Sequence, residues 1–96
     1  MTNPTTLRFA DFEAAARAAG FDQVLERPWA PDAVVQTHTH PFAVDAVVVQ
    51  GEMWLTHDGA TRHLGPGDRF TLGREVPHDE RYGPQGAMLW VARRGS

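Results

Sequence analysis

Over the last two thirds of the chain, short runs of apolar and β-branched residues alternate with Gly, Pro and Asp. The runs recur at intervals of roughly 8 to 12 residues, a spacing typical of an antiparallel sandwich or barrel. The predicted strands cover residues 34–40, 46–50, 53–57, 62–64, 68–72, 78–82 and 87–92. Asp58-Gly59 predicts a type I′ hairpin turn, and residues 65–68 a second tight turn. The pattern therefore predicts an all-β body.

The first third of the chain has a different pattern. Residues 11–19 read DFEAAARAA, which predicts a short helix with Asp11 as N-cap and Gly20 as its stop. A helix of roughly nine residues is unstable alone, so we expect it to dock on the body. The residues expected to dock are Phe12, Ala15, Ala16 and Ala19.

Two prolines flank Trp29 in residues 26–32 and predict an extended connector that the indole holds in place. The predicted organisation is one domain overall. Residues 1–32 form its helix and connector, and residues 33–96 form a β-barrel.

The composition removes several kinds of chemistry. The chain has no Cys and no Lys, and its only Ser is Ser96, which excludes thiolates, iron–sulfur clusters and Schiff bases and disfavours a serine nucleophile. The net charge is -3 and the nine arginines are scattered, so we expect no nucleic-acid partner. With no long apolar run and no export segment, we expect no membrane partner and a cytoplasmic protein.

Five histidines remain to carry chemistry. His38 and His40 form a His-Thr-His run on a predicted strand, where alternate residues share a face and two imidazoles can hold one ion. Two such ligands bind weakly unless a third arrives, and His78 is the candidate. His57 and His63 flank the Asp58-Gly59 turn, so we expect them on the surface and outside the site.

The histidine spacing resembles that of the cupins, a family of small jelly-roll β-barrels with a metal in the barrel. The first cupin motif is His-x-His, then Glu after three or four residues, then Gly after six more; His38, His40 and Gly51 match it. In the second motif, Gly67 and His78 stand at the correct spacing. The two motifs together span nearly half the chain.

Several motif positions depart from the family pattern. The cupin Glu falls on Val44 when counted back from Gly51, and on Asp45 when counted forward with the longer spacing. A shift of one residue reverses the face of a strand side chain, so Asp45 would be a fourth ligand only with a bulge. The second motif's Pro and inner Gly are Gly73 and Glu75, and its Asn is Tyr82, so the loop before His78 has room to differ.

The resemblance implies a divalent metal held by His38, His40 and His78, with open positions for water or substrate. Zinc, nickel, manganese and iron all accept histidine, so the metal stays open. Glu80 is predicted on the face of His78, as a catalytic general base or a residue that orients a ligand. Gln36, by the same alternation, is a lesser candidate for a hydrogen bond to a ligand.

Three functions follow from the resemblance. The first is a metal-dependent enzyme acting on a small polar metabolite by isomerisation, hydrolysis or oxygenation. The second is a non-catalytic sensor module that binds a small ligand. The third is a structural barrel with a vestigial site, which the intact histidine set disfavours. Cupins commonly pair, so the resemblance also implies a homodimer.

Overall fold

A computed structural model of the protein describes residues 8–95. It contains one helix and six antiparallel strands in a single sheet. The elements are α1 (Phe9–Ala18), β1 (Gln23–Trp29), β2 (Val34–His38), β3 (Ala43–His57), β4 (Ala60–Leu64), β5 (Arg69–Leu72) and β6 (His78–Arg94). The predicted all-β class with a short N-terminal helix is confirmed. Among these residues, no helix has the length and apolar character needed to cross a membrane.

The long strands β3 and β6 organise the fold. They pair along their whole length, from Ala43 opposite Arg94 to Thr56 opposite Asp79. At one end β1 and β5 flank this pair, and at the other end β2 and β4 do so. The sheet thus has two four-stranded halves, β1-β6-β3-β5 and β2-β6-β3-β4, the arrangement of a jelly roll. The main apolar core contains residues of both halves.

Two glycines let the long strands bend where separate strands were predicted. Gly51 has φ +77 and Gly86 has φ +72, and the β3–β6 register shifts on both sides of Gly51. A Cβ on Gly51 would lie 2.1 Å from the Gly86 carbonyl oxygen. The predicted strand pairs 46–50 with 53–57 and 78–82 with 87–92 are therefore single bent strands, because glycine permits this approach without ending the ladder.

The helix begins earlier than predicted. Its N-cap is Arg8, which makes no side-chain cap, and Asp11 lies in the first turn. Phe12 and Ala16 are buried as predicted, whereas Ala15 and Ala19 are exposed. The docking face is completed by Phe9, whose ring lies 5.5 Å from that of Trp90.

The strand β1 was not predicted from the sequence. It pairs with β6 from Gln23 opposite Arg93 to Trp29 opposite Ala87, so half of the expected connector lies in the sheet. Pro28 is compatible with this because β1 has a neighbour on one side only. The division of the chain at residues 32 and 33 stays a prediction.

Candidate metal centre

His38, His40 and His78 come together in the tertiary structure. His38 ends β2 and pairs directly with His78 at the start of β6, while His40 lies two residues beyond β2. The ring centroids are 4.7 Å apart for His38–His40, 4.3 Å for His38–His78 and 4.9 Å for His40–His78. The potential ligand nitrogens all lie within 4.8 Å of one another. This spacing allows the three rings to share one ion.

Backbone hydrogen bonds orient two of the rings. His38 Nδ1 lies 2.8 Å from the Gln36 carbonyl oxygen, and His78 Nδ1 lies 2.9 Å from that of Val76. A carbonyl oxygen only accepts, so each Nδ1 carries the hydrogen and donates it. In the neutral ring the lone pair is then on Nε2, as in metal-binding histidines whose other nitrogen is held by the protein. Both rings therefore present an Nε2 lone pair.

The Nε2 atom of His78 is buried and has no hydrogen-bond partner among residues 8–95. A buried polar atom without a partner costs free energy, and such atoms are uncommon in folded proteins. A cation bound at Nε2 would remove that cost. The atom is thus a direct structural reason to test the centre for a metal.

Glu80 brings a carboxylate to the same centre. Its Oε2 lies 3.5 Å from His78 Nε2 and 3.8 Å from His38 Nε2, and the residue is buried. The Tyr82 hydroxyl donates a hydrogen bond to the other oxygen, Oε1. A buried carboxylate oxygen that faces two nitrogen lone pairs is unfavourable unless a cation or a proton lies between them. Three neutral imidazoles are donors that divalent zinc, nickel, manganese and iron accept, so the three histidines fit such an ion, and the Glu80 carboxylate beside them would offset part of its charge.

His40 is held in its neutral form. Burial lowers its pKa from 6.5 to about 4, and the nearby His78, His38 and Arg93 add to the shift. Metals bind the neutral imidazole, so protons do not compete for His40 near neutral pH.

A cavity of about 170 Å³ opens beside the histidines. It is smaller than the roughly 300–1,000 Å³ of common ligand pockets, so it suits a small molecule. Its other lining residues are Arg27, Trp29, Val35, Phe42, Val44, Phe70, Leu72, Glu80, Leu89, Val91 and Arg93. These residues come from both halves of the jelly roll. The candidate centre therefore lies in the interior of the fold and not on an exposed strand.

Comparison with known proteins agrees with this architecture. The sequence matches the family described as AraC-like ligand binding domain over residues 20–95. The chain belongs to this family. No curated protein matches the chain in sequence.

Solved structures place this AraC-like domain among the cupins. An RmlC-like cupin from Shewanella frigidimarina has 26% identity and a TM-score of 0.63, covering 74% of this chain and 65% of its own. KdgF from Halomonas sp. has 24% identity and a TM-score of 0.63, with 76% and 69% covered. The DMSP lyase DddQ from Ruegeria pomeroyi has 28% identity and a TM-score of 0.65, with 76% and 36% covered. The domain thus spans about a third of the lyase.

The carboxylate of this AraC-like domain comes from β6 and not from the first cupin motif. Val44 lines the cavity, whereas Asp45 does not and instead lies 3.8 Å from the Arg69 guanidinium. Strand β3 is in unbroken register with β6 over residues 43–48, so no bulge reverses the direction of Asp45. The bulge on which a fourth ligand at Asp45 depended is therefore absent from this segment, and Glu80 is the carboxylate beside the histidines.

A bulge in β2 changes which of its residues face the site. Val35 pairs with Glu80 and His38 with His78, so two residues of β2 between these pairs lie opposite one residue of β6. Val35 and His38 consequently both line the cavity, while Gln36 is exposed and contributes its carbonyl oxygen. The prediction that the Gln36 side chain shares the face of the histidines is wrong for this reason.

The remaining histidines lie apart from the centre. His63 is exposed, stacks on Trp54 at 4.8 Å and lies 2.6 Å from Glu52. His57 lies at the Asp58-Gly59 turn, as predicted.

The sequence reading missed three polar residues of the cavity wall. Arg27 and Trp29 lie in the segment that was predicted as a connector, so they were not considered as part of a cavity wall. Arg93 continues the alternation of Leu89 and Val91 along β6. A predicted strand extended past residue 92 would have placed Arg93 on the same face as these two residues.

Proposed function

We propose that this AraC-like cupin binds a divalent metal through His38, His40 and His78 and acts on a small polar metabolite in the adjacent cavity. The convergence of the three imidazoles, with the Nε2 atoms of His38 and His78 free, carries the proposal. A divalent ion held there would polarise a substrate oxygen or lower the pKa of bound water. The kinds of reaction proposed are isomerisation, hydrolysis and oxygenation.

Glu80 is the proposed catalytic residue. Its Oε2 faces the histidines, where it can accept a proton from a bound molecule, and its Oε1 is held by the Tyr82 hydroxyl. Tyr82 is itself held, because its ring stacks on Trp29 with centroids 4.6 Å apart. This support restrains the carboxylate in the orientation that proton transfer requires.

A second candidate function is a non-catalytic sensor. The family described as AraC-like ligand binding domain favours it, since that description specifies binding and not turnover. In that case the metal and the cavity would hold a ligand, and the domain would signal through a partner.

Metal analysis tests the centre. Protein purified without a histidine tag is expected to hold about one divalent ion per chain, and His38→Ala and His78→Ala are expected to lose it. His63→Ala is the matched control, because it removes an exposed imidazole outside the cavity. Equal metal content in all four proteins would reject the metal centre.

Turnover separates the enzyme from the sensor. Keto acids, sugars and diketones are incubated with protein loaded separately with zinc, nickel, manganese or ferrous iron. Product that disappears in Glu80→Gln but persists in Asp45→Asn supports the enzyme. A raised melting temperature without product supports the sensor.

The homodimer is also a proposal. A tryptophan at a subunit contact would be one way to form it, but each of the three tryptophans also has a partner within the chain: Trp29 packs on Tyr82, Trp54 on His63 and Trp90 on the helix. Light scattering on purified protein would measure the mass directly.

A further inference from the structure

The cavity wall contains hydrogen-bond donors that have no acceptor among residues 8–95. Arg93 Nε and Trp29 Nε1 are buried without a partner among the described residues. Both residues line the cavity. His78 Nε2 is also unpartnered, but it presents a lone pair and belongs with the metal centre, not with these donors. Another such atom, Trp90 Nε1, belongs to the cluster packed on α1. Unmet donors gathered around one cavity indicate a ligand that supplies acceptor atoms.

Two guanidinium groups add positive charge to the same wall. Neither Arg27 nor Arg93 forms an ion pair with a carboxylate within residues 8–95. The Arg27 guanidinium carbon lies 4.4 Å from the centroid of Trp29, and that of Arg93 lies 4.7 Å from the centroid of Phe42. Aromatic faces of this kind orient a guanidinium without neutralising it. Arg93 Nη1 donates a hydrogen bond of 3.5 Å to Gln23 Oε1, and both guanidinium groups keep further N–H donors for an anion.

Arg93 is also next to the histidine centre. The Arg93 guanidinium packs over the ring of Phe42, and that ring stacks on His40 with centroids 4.8 Å apart. Burial and the charge of Arg27 both lower the pKa of Arg93, as expected for two cations that face one small cavity. Glu80 is the one carboxylate among the lining residues, so the wall carries an excess of positive charge.

We infer that the ligand of this cavity is a small hydroxy- or oxo-carboxylate whose carboxylate group is bound by Arg93 and Arg27. The assignment of its second oxygen to the histidine end rests on the proposed function. The binding of the carboxylate by the two arginines is inferred only from the unpartnered donors and the unpaired charges of the cavity wall. Arginine suits this role because its planar fork matches the two oxygens of a carboxylate.

Matched pairs of probes test the charge preference. Lactate is compared with lactamide, and galacturonate with galactose, by calorimetry on metal-free and zinc-loaded protein. The inference predicts that at least one acid binds, and that it binds at least about tenfold more tightly than its neutral partner. Equal binding within both pairs, or no binding of either acid at millimolar concentration, would overturn the inference.

Variants that each remove one positive charge test which arginines cause the preference for an acid. Arg93→Gln and Arg27→Gln are each expected to weaken acid binding about tenfold or more and to leave the neutral probe unchanged. Arg81→Gln is the control, because it removes an exposed arginine over Trp54, outside the cavity. Arg93→Lys, which keeps the charge but not the fork, is expected to recover part of the loss. An acid preference that survives in the Arg27→Gln/Arg93→Gln double variant would also overturn the inference.

The two proposals fail separately. If the metal centre is wrong, His38→Ala keeps its metal content while the arginine variants still lose acid binding. If the arginine assignment is wrong, metal content falls in His38→Ala while the acid and neutral probes bind alike. The NMR signal of the Arg93 Nε–H group provides a readout that needs neither metal nor turnover, since a bound carboxylate would shift it.

Discussion

The Tyr82 hydroxyl hydrogen-bonds Glu80 in a buried pair two residues apart on β6. Burial raises the pKa of Tyr82, with a further contribution from Glu80, so the hydroxyl keeps its proton and remains a donor. Because both residues are buried, neither finds a substitute partner in water.

We expect Tyr82→Phe to lower the free energy of unfolding of the metal-free protein by about 1.5–3 kcal/mol, the usual contribution of a hydrogen bond to a charged group. The measurement is urea unfolding in the presence of a chelator. Glu80→Gln and the double variant complete a double-mutant cycle. Effects that add to within about 0.5 kcal/mol would contradict an energetic link between the two side chains.

The depressed pKa of His40 makes the stability of the metal-free protein depend on pH. The folded protein resists protonation until about pH 4, whereas the unfolded chain takes up the proton near 6.5. Between these values the unfolded state binds more protons, so stability falls as the pH is lowered from about 6.5 towards 4.

Unfolding midpoints between pH 7 and pH 4 test this prediction. We expect His40→Gln to lose less stability than the wild type over that range, since it lacks the group that must stay neutral. His57→Gln, at the exposed hairpin turn, is expected to behave like the wild type. An identical pH profile for all three proteins would contradict the assigned shift.

At the scale of elements, the close approach of the paired strands β3 and β6 at Gly51 marks where the sheet bends. Gly51 and Gly59 have nearly equal φ values, +77 and +75, but different surroundings. A Cβ on Gly51 would meet the Gly86 carbonyl oxygen, whereas a Cβ on Gly59 has nothing within 4 Å.

We therefore expect Gly59→Ala to cost about 1–2 kcal/mol, the penalty of the left-handed conformation alone. Gly51→Ala is expected to cost distinctly more, because backbone must also move. Chemical unfolding of both variants measures the difference. Similar losses in both would mean that the close approach of the two strands does not matter to stability.

At the scale of the whole molecule, a metal would tie the fold together. His38 ends β2, His40 follows it two residues later and His78 begins β6, so one ion would link two parts of the chain that lie far apart in sequence. Anything that binds only the folded state stabilises it by mass action.

We expect zinc at a hundredfold excess over its dissociation constant to add about 2.7 kcal/mol to the free energy of unfolding. Chelation should return the protein to its metal-free stability. The His38→Ala/His78→Ala double variant should show no gain, with His63→Ala as the control that retains it. Equal stabilisation of the double variant would place the metal elsewhere.

The all-β class, the hairpin at Asp58-Gly59 and the shared face of His78 with Glu80 followed from the sequence alone. These features depend on local rules: alternation along a strand and the φ preferences of glycine hold whatever the rest of the chain does. The three candidate histidines were selected by their order and spacing, which match the cupin motifs.

The other features of the site depend on how the strands pair. The bulge in β2 that turns Gln36 outward, the inward position of Val44 in place of Asp45, and the membership of β1 in the sheet all depend on which strands pair and in what register. Pairing joins residues far apart in sequence, so no local pattern specifies it. For the same reason Arg27 and Arg93, separated by most of the chain, were recognised as one wall of a cavity only once the strands had been assembled.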